Sequence, residues 1–188
     1  ILLLVVAGWS ASRAGKDRAA GIFLGLALSL KPFTGLFIIF FLIRRRWKLL
    51  ASYMSTFFIT SFLALFVFGI DTYRQYLVNI RDITWYELSW NVSFTGLFTR
   101  LFGGNDNISF LNWPEMINIV VYSLSLLSVI ILIWVAWPRN GLSSAIRFDL
   151  GYALTLVFML LISPLGWIYY FPLLLLPAIL ILWISARW

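Results

Sequence analysis

The chain contains no cysteine and no histidine. The first absence excludes a disulfide framework and thiolate chemistry. The second removes the usual general base and the commonest metal ligand. Charge is scarce too, at 11% of residues against 62% apolar, with 17 Phe, 10 Trp and 8 Tyr. A soluble domain carries about 25% charged residues, so this composition belongs to the membrane class. The charge that exists is one-sided, net +7, yet the basic residues gather at the ends of apolar runs. That pattern orients helices in a bilayer and argues against a nucleic-acid partner. The sequence opens on Ile1, and Ile1–Trp9 reads as the tail of a truncated helix. The expectation is therefore a fragment, residues 1–188 forming a single transmembrane domain with further helices and a first outer loop before residue 1.

The most informative feature is Leu30-Lys31-Pro32, at the centre of a 25-residue apolar stretch from Ala19 to Ile43. Both ends of the stretch are basic: Arg13, Lys16 and Arg18 before it, Arg44-Arg45-Arg46 and Lys48 after it. A simple spanning helix would put one cluster outside, against the tendency of Lys and Arg to stay cytoplasmic. Pro32 has no amide hydrogen and disfavours helix at Lys31, dividing the stretch into two pieces of about a dozen residues or fewer. Each rises less than ~20 Å, too little for a ~30 Å hydrocarbon core. A re-entrant pair of half-helices satisfies both facts, and broken backbone at membrane depth lines a polar cavity or is buried in protein.

Further apolar runs cover Leu49–Phe68, Met116–Trp137, Phe148–Ile162 and Trp167–Ser185. With Ala19–Ile43 re-entrant, ten basic residues fall on the cytoplasmic side and three, Arg74, Arg81 and Arg100, outside. Full spanning would give six inside against seven outside, so the re-entrant topology is preferred. It places Gly69–Pro114, 46 residues, on the outer face. Tyr73, Tyr76, Leu77, Ile80 and Ile83 recur at helical spacing, predicting a surface helix over Thr72–Trp85. A second short helix is predicted over Ser93–Phe102, with Phe94, Leu97, Phe98 and Leu101 on one face and Ser93, Gly96 and Arg100 on the other. Gly103–Asn107 reads as the turn that ends it.

Arg100 is the sharpest chemical candidate. With Ser93, Gly96 and Asn91 as a helix cap it makes a donor cluster for a phosphate or sugar hydroxyls. An interfacial arginine meeting lipid headgroups is the plainer reading, and the same holds for Arg74 and Arg81. Lys31 is costly at mid-depth unless it faces a cavity, counter-charge or water, which favours a function over snorkelling. Gly21-Ile22-Phe23-Leu24-Gly25 is a small-xxx-small spacing suited to helix packing. Asp71, Asp82 and Glu87 can each act as a base, but none sits in a distinctive constellation. Ser163-Pro164-Leu165-Gly166-Trp167 breaks the chain between two apolar helices.

Four features in order carry a family resemblance: Leu30-Lys31-Pro32 followed by Arg44-Arg45-Arg46-Trp47; the Phe68-Gly69 exit; Asn91-Val92-Ser93 with Gly96 and Arg100; and Ser163-Pro164-Leu165-Gly166-Trp167-Ile168-Tyr169-Tyr170. Over most of residues 15–180 the chain resembles the C-terminal part of glycosyltransferase family 87, the DUF2029 family. The resemblance implies an all-α polytopic GT-C-like bundle in the plasma (inner) membrane. It implies transfer of a hexosyl unit, typically mannosyl, from a polyprenyl-phosphate donor to a lipid or glycan acceptor on the extracytoplasmic face. Arg100, Asn91, Ser93, Lys31, Tyr169 and Tyr170 are the expected substrate-binding residues. Family members often carry a His pair where this chain has Tyr169-Tyr170, so no histidine role carries over. The family's catalytic aspartate lies in the first outer loop, so the base is expected upstream of residue 1. Such a donor has no diphosphate to neutralise, and no ligand cluster is visible, so neither metal nor other cofactor is expected.

The alternative is a transporter or lipid flippase domain, since broken helices with a mid-membrane charge are a transporter habit. A long outer loop with its own helices favours the transferase. An assembly subunit without chemistry is the third reading.

Overall fold

The computed structural model describes residues 1–81, 85–103, 111–138 and 143–186, and among these the chain is all helix and turn, with no strand beyond two isolated bridges. Four helices are long and apolar enough to cross a membrane, Trp47–Ile80, Pro114–Ala136, Ser144–Ile162 and Ile168–Ser185. The all-α polytopic class read from the sequence is the one observed. The chain separates into two compact units, Ile1–Gly35 with Arg46–Trp85, and Leu36–Arg45 with Tyr86–Trp188.

In the first unit α1 (Leu2–Arg13) packs on α2 (Asp17–Leu30), and α2 packs on α4 (Trp47–Arg81). Gly21 and Gly25 are the reason α2 and α4 approach so closely. A Cβ at Gly21 would lie 2.5 Å from the Leu49 carbonyl oxygen, and one at Gly25 2.6 Å from that of Tyr53. The small-xxx-small spacing is thus a packing device. The contacts advance together, Ser52 Oγ donating to Arg18 O at 2.9 Å and Ser29 bonding Thr60, so α2 and α4 run parallel. Their N-termini are tied as well: Arg46 forms an ion pair with Asp17, its Nε 3.0 Å from Oδ1, and its Nη2 donates to Ser12 O at 3.1 Å. The chain that leaves at Lys31 therefore returns at Arg46 to the level where α2 began. That is the fold-back expected of the Ala19–Ile43 stretch. The break is a 3-10 turn, Pro32–Leu36, and α2, starting at Asp17, is slightly longer than the dozen residues expected.

Gly69, with φ 77° and ψ 166°, interrupts α4 in a region essentially open only to glycine. Tyr73 Oη donates to Ser61 O at 2.9 Å, twelve residues back. In an unbroken helix that separation is about 18 Å along the axis, beyond a tyrosine's reach, so residues 70–81 fold back toward 47–68. The helix expected over Thr72–Trp85 instead starts directly after Gly69, and its described part ends at Arg81, before a 3-10 turn at Trp85–Glu87. Residues 82–84, including Asp82, lie outside the described residues.

The second unit holds α3 (Phe37–Ile43), α5 (Phe94–Phe102), α6 (Pro114–Ala136), α7 (Ser144–Ile162) and α8 (Leu175–Ser185). Phe37 and Phe40 of α3 are buried against Tyr152 and Phe148 of α7, with ring centroids 4.7 and 5.4 Å apart. The third apolar run is longer than the expected Phe148–Ile162, because Ser143 caps α7 by accepting from Ile146 N. Arg147 is consequently inside the first helical turn and buried, donating to Trp137 O at 3.2 Å. Arg44 reaches Ser144 Oγ at 3.1 Å and lies over the Phe148 ring. Two cations therefore meet the C-terminal carbonyls of α6, where the helix dipole favours positive charge. The last run is not one α-helix as expected: Ile168–Leu174 is 3-10, and α8 begins only at Leu175, because Pro172 supplies no amide. The Gly104–Asn107 part of the expected turn, and Arg139, lie outside the described residues.

Candidate functional site

Asn91 organises the second unit's far end. Its side chain is wholly buried and fully bonded. Nδ2 donates to Tyr86 O at 3.0 Å and Pro164 O at 2.9 Å, while Oδ1 accepts from Ser93 Oγ at 2.9 Å and from Gly166 N at 3.0 Å. Val92 N donates to Gly166 O and Ile168 N to Trp90 O, both at 2.9 Å, making an antiparallel bridge around Asn91 and Trp167. Two motifs 75 residues apart are thereby joined into one piece. Gly166 is required there, because a Cβ would fall 2.4 Å from Leu160 O and 3.0 Å from Ser93 Cβ.

The short helix expected over Ser93–Phe102 is present as α5, but its cap differs. Ser93, also wholly buried, accepts from Gly96 N at 3.1 Å, and Asn91 serves the joint instead. A Cβ at Gly96 would meet Asn91 at 2.4 Å, so the Ser93–Gly96 face of α5 lies against the joint. Arg100, half-buried, extends from this face. Its Nη1 donates to Leu88 O at 2.9 Å and Asn91 O at 2.8 Å. Among the described residues its Nη2 and Nε have no partner. A guanidinium clipped along one edge by two carbonyls is oriented, and its other edge can make a forked pair with a phosphate.

Tyr169 and Tyr170 follow the joint directly, their rings 4.6 Å apart and Tyr169 stacked on Trp167 at 6.1 Å. Trp90 meets Trp167 edge-on at 6.4 Å. Neither Trp90 nor the Asn91–Gly166 pairing was foreseeable as part of the site, for no local pattern links positions so far apart. The one available signal was Asn91 beside Ser93, a polar pair in a chain with few of them.

Lys31 belongs to the other unit. It is half-buried and engaged with its surroundings, and its carbonyl accepts from Thr34 N and Thr34 Oγ1 at 3.2 and 2.9 Å, pinning the helix break. Tyr53 Oη, buried, secures the same turn by donating to Thr34 O at 2.9 Å. The residues flanking Lys31 line a groove of about 440 Å³ with Phe57, Ser61, Phe68 and Tyr73. Of the carboxylates considered as bases, Asp71 is exposed and paired with Arg74 at 3.1 Å, and Glu87 sits half-buried in the 3-10 turn. Among the described residues no group of three acidic side chains is placed to hold a metal ion.

A family model described as glycosyltransferase family 87 matches residues 1–164. Neither the curated proteins nor the solved structures contain a match to the chain.

Proposed function

The chain belongs to glycosyltransferase family 87, a family of membrane glycosyltransferases, and from that premise we propose the donor, the acceptor side and the residue that meets the donor. The donor is a polyprenyl-phosphate hexose, mannose in the first instance, and the acceptor receives the sugar on the extracytoplasmic face of the plasma membrane. The acceptor hydroxyl attacks the anomeric carbon, the bond from that carbon to the phosphate oxygen breaks, and the carrier phosphate leaves with the electron pair. The hydroxyl proton passes to a general base. Arg100 stabilises the negative charge that grows on the departing phosphate, an interaction worth more in the transition state than in the ground state.

One observation carries this reading: two carbonyls hold Arg100 by one edge, and among the described residues the other edge has no partner. Asn91 and Ser93 act by holding the loop that aims it. The outer-face placement is supported by α7, which carries the Arg44 and Arg147 cluster at one end and the joint at the other, about 28 Å away for its 19 residues. Basic clusters stay cytoplasmic. Proteoliposomes holding the protein should transfer radiolabelled mannose from polyprenyl-phosphate mannose. Transfer from a nucleotide sugar alone, in liposomes without any polyprenyl phosphate, would overturn the donor assignment.

A further inference from the structure

We propose that the mouth of the seam between α2 and α4 holds the phosphate of an anionic phospholipid, gripped by Arg18 and Lys48, with the acyl chains lying along an exposed face of α4. The two cations are placed by the same packing that closes the seam. Gly21 of α2 faces α4 so closely that a Cβ would fall 2.6 Å from Ser52 Cβ. Residues three or four apart share a helix face, so Arg18 lies on the seam stripe of α2 with Gly21, and Lys48 on that of α4 with Ser52. Ser52 Oγ donates to Arg18 O at 2.9 Å, which brings Arg18 and Lys48 to within about one helical turn of a common level. Both are exposed, and among the described residues neither has an ion-pair partner. Lys16, in the turn that leads into α2, is a third such cation. The described carboxylates of this unit are already used, Asp17 by Arg46 and Asp71 by Arg74.

Like charges at the end of one seam repel, and Arg18 is tied to α4 through its carbonyl, not its guanidinium. An anion seated between the two head groups turns that repulsion into attraction. Parallel α2 and α4 add to the field, since both present the positive ends of their dipoles there. The rest of the surface selects a lipid over a soluble anion. Trp47, 59% exposed beside Lys48, has the place of an interfacial anchor. From Lys48 onward, Ala51, Ser55, Phe58 and Phe62 follow on one face at helical spacing, all exposed. The two small residues leave a shallow recess where an acyl chain starts, and the two phenylalanines give it apolar surface deeper in. Cations at the end of an apolar helix are the usual ligands of anionic headgroups. Orienting the chain by charge needs basic residues near the helix ends, but not two of them on one helix–helix seam above a lipid-facing stripe.

The test is native mass spectrometry of the detergent-solubilised protein titrated with phosphatidylglycerol or phosphatidylcholine, paired with thermal unfolding in nanodiscs of each lipid. The wild-type protein should hold phosphatidylglycerol with an affinity about tenfold or more above that for phosphatidylcholine. Arg18→Gln and Lys48→Gln should each weaken phosphatidylglycerol about fivefold, and the double variant about twenty-five-fold. Arg18→Lys and Lys48→Arg keep the charge and should retain binding, while Arg74→Gln removes a charge elsewhere and should leave it unchanged. In phosphatidylcholine nanodiscs the double variant should unfold at or above the wild-type temperature, because the repulsion is relieved. In phosphatidylglycerol nanodiscs it should unfold below the wild type, which alone gains from the lipid. Four results would overturn the proposal. They are equal affinity for the two lipids, an Arg74→Gln loss as large as that of the seam variants, a double variant destabilised equally in both lipids, and displacement of the lipid by inorganic phosphate at the same concentration.

Discussion

Removing Asn91 should release the joint between residues 86–93 and 163–168. Asn91→Ala deletes two donated and two close accepted hydrogen bonds at a site with no solvent exposure. Ser93 Oγ keeps contacts to Gly96 N and Pro164 O, so it is only partly orphaned. Gly166 N and Tyr86 O lose the bonds that Asn91 supplied. A buried polar group without its partner costs about 1–3 kcal/mol, so the two together place the loss at roughly 2–6 kcal/mol. Asn91→Asp should be no milder, because a carboxylate oxygen would then face the carbonyls of Tyr86 and Pro164. The assay is amide hydrogen exchange on protein in nanodiscs, with thermal unfolding alongside. The amides of Val92 and Ile168, which make the bridge, should lose protection in both variants, while those of α6 keep theirs. Protection at Val92 and Ile168 unchanged in Asn91→Ala, with stability lowered by less than about 1 kcal/mol, would refute the reasoning.

Gly25→Val should force α2 and α4 apart, since even a Cβ would sit 2.6 Å from the Tyr53 carbonyl, and overpacking of this kind costs about 1–3 kcal/mol, readable as a fall in unfolding temperature. Gly69→Ala should cost about 1–3 kcal/mol, because alanine cannot adopt the observed backbone without strain, and Tyr73→Phe should loosen residues 70–81 in hydrogen exchange by removing the bond to Ser61. Cysteines placed at Arg13 and Lys48 should label from the same side of the membrane with an impermeant thiol reagent, as the Asp17–Arg46 pair requires of a stretch that returns to its starting level. Labelling from opposite sides would rule out the fold-back.

The membrane class, the helix break at Pro32, the close approach at Gly21 and Gly25, and the helix bearing Arg100 were all legible in the sequence. Each is written locally: a proline without an amide, glycines four apart, apolar residues at helical spacing. The bounds at 144 and 175 were less legible, for a serine cap and an internal proline moved them against the hydropathy pattern. The joint was not legible at all. Asn91 could be read as a helix cap because an asparagine two residues before a helical pattern has that propensity. Its actual role depends on Gly166 and Pro164, 75 and 73 residues away, and only tertiary packing brings those groups to it. Arg100 was singled out from its place on a predicted helix face with Ser93 and Gly96, but the carbonyls that orient it belong to the joint and were hidden with it.

Arg100 carries the proposed chemistry, so transfer by its variants is the most direct measurement. In proteoliposomes supplied with polyprenyl-phosphate mannose and acceptor, Arg100→Ala should lower turnover by about two to three orders of magnitude, the loss seen when one transition-state donor is removed. Helical content and the unfolding profile of α6 and α7 should be kept. Arg100→Lys should recover only part of the rate, since a point charge cannot reproduce a forked hydrogen bond. Near-normal transfer by Arg100→Ala would contradict the account, and would leave Arg100 as no more than the clip that holds Leu88 and Asn91.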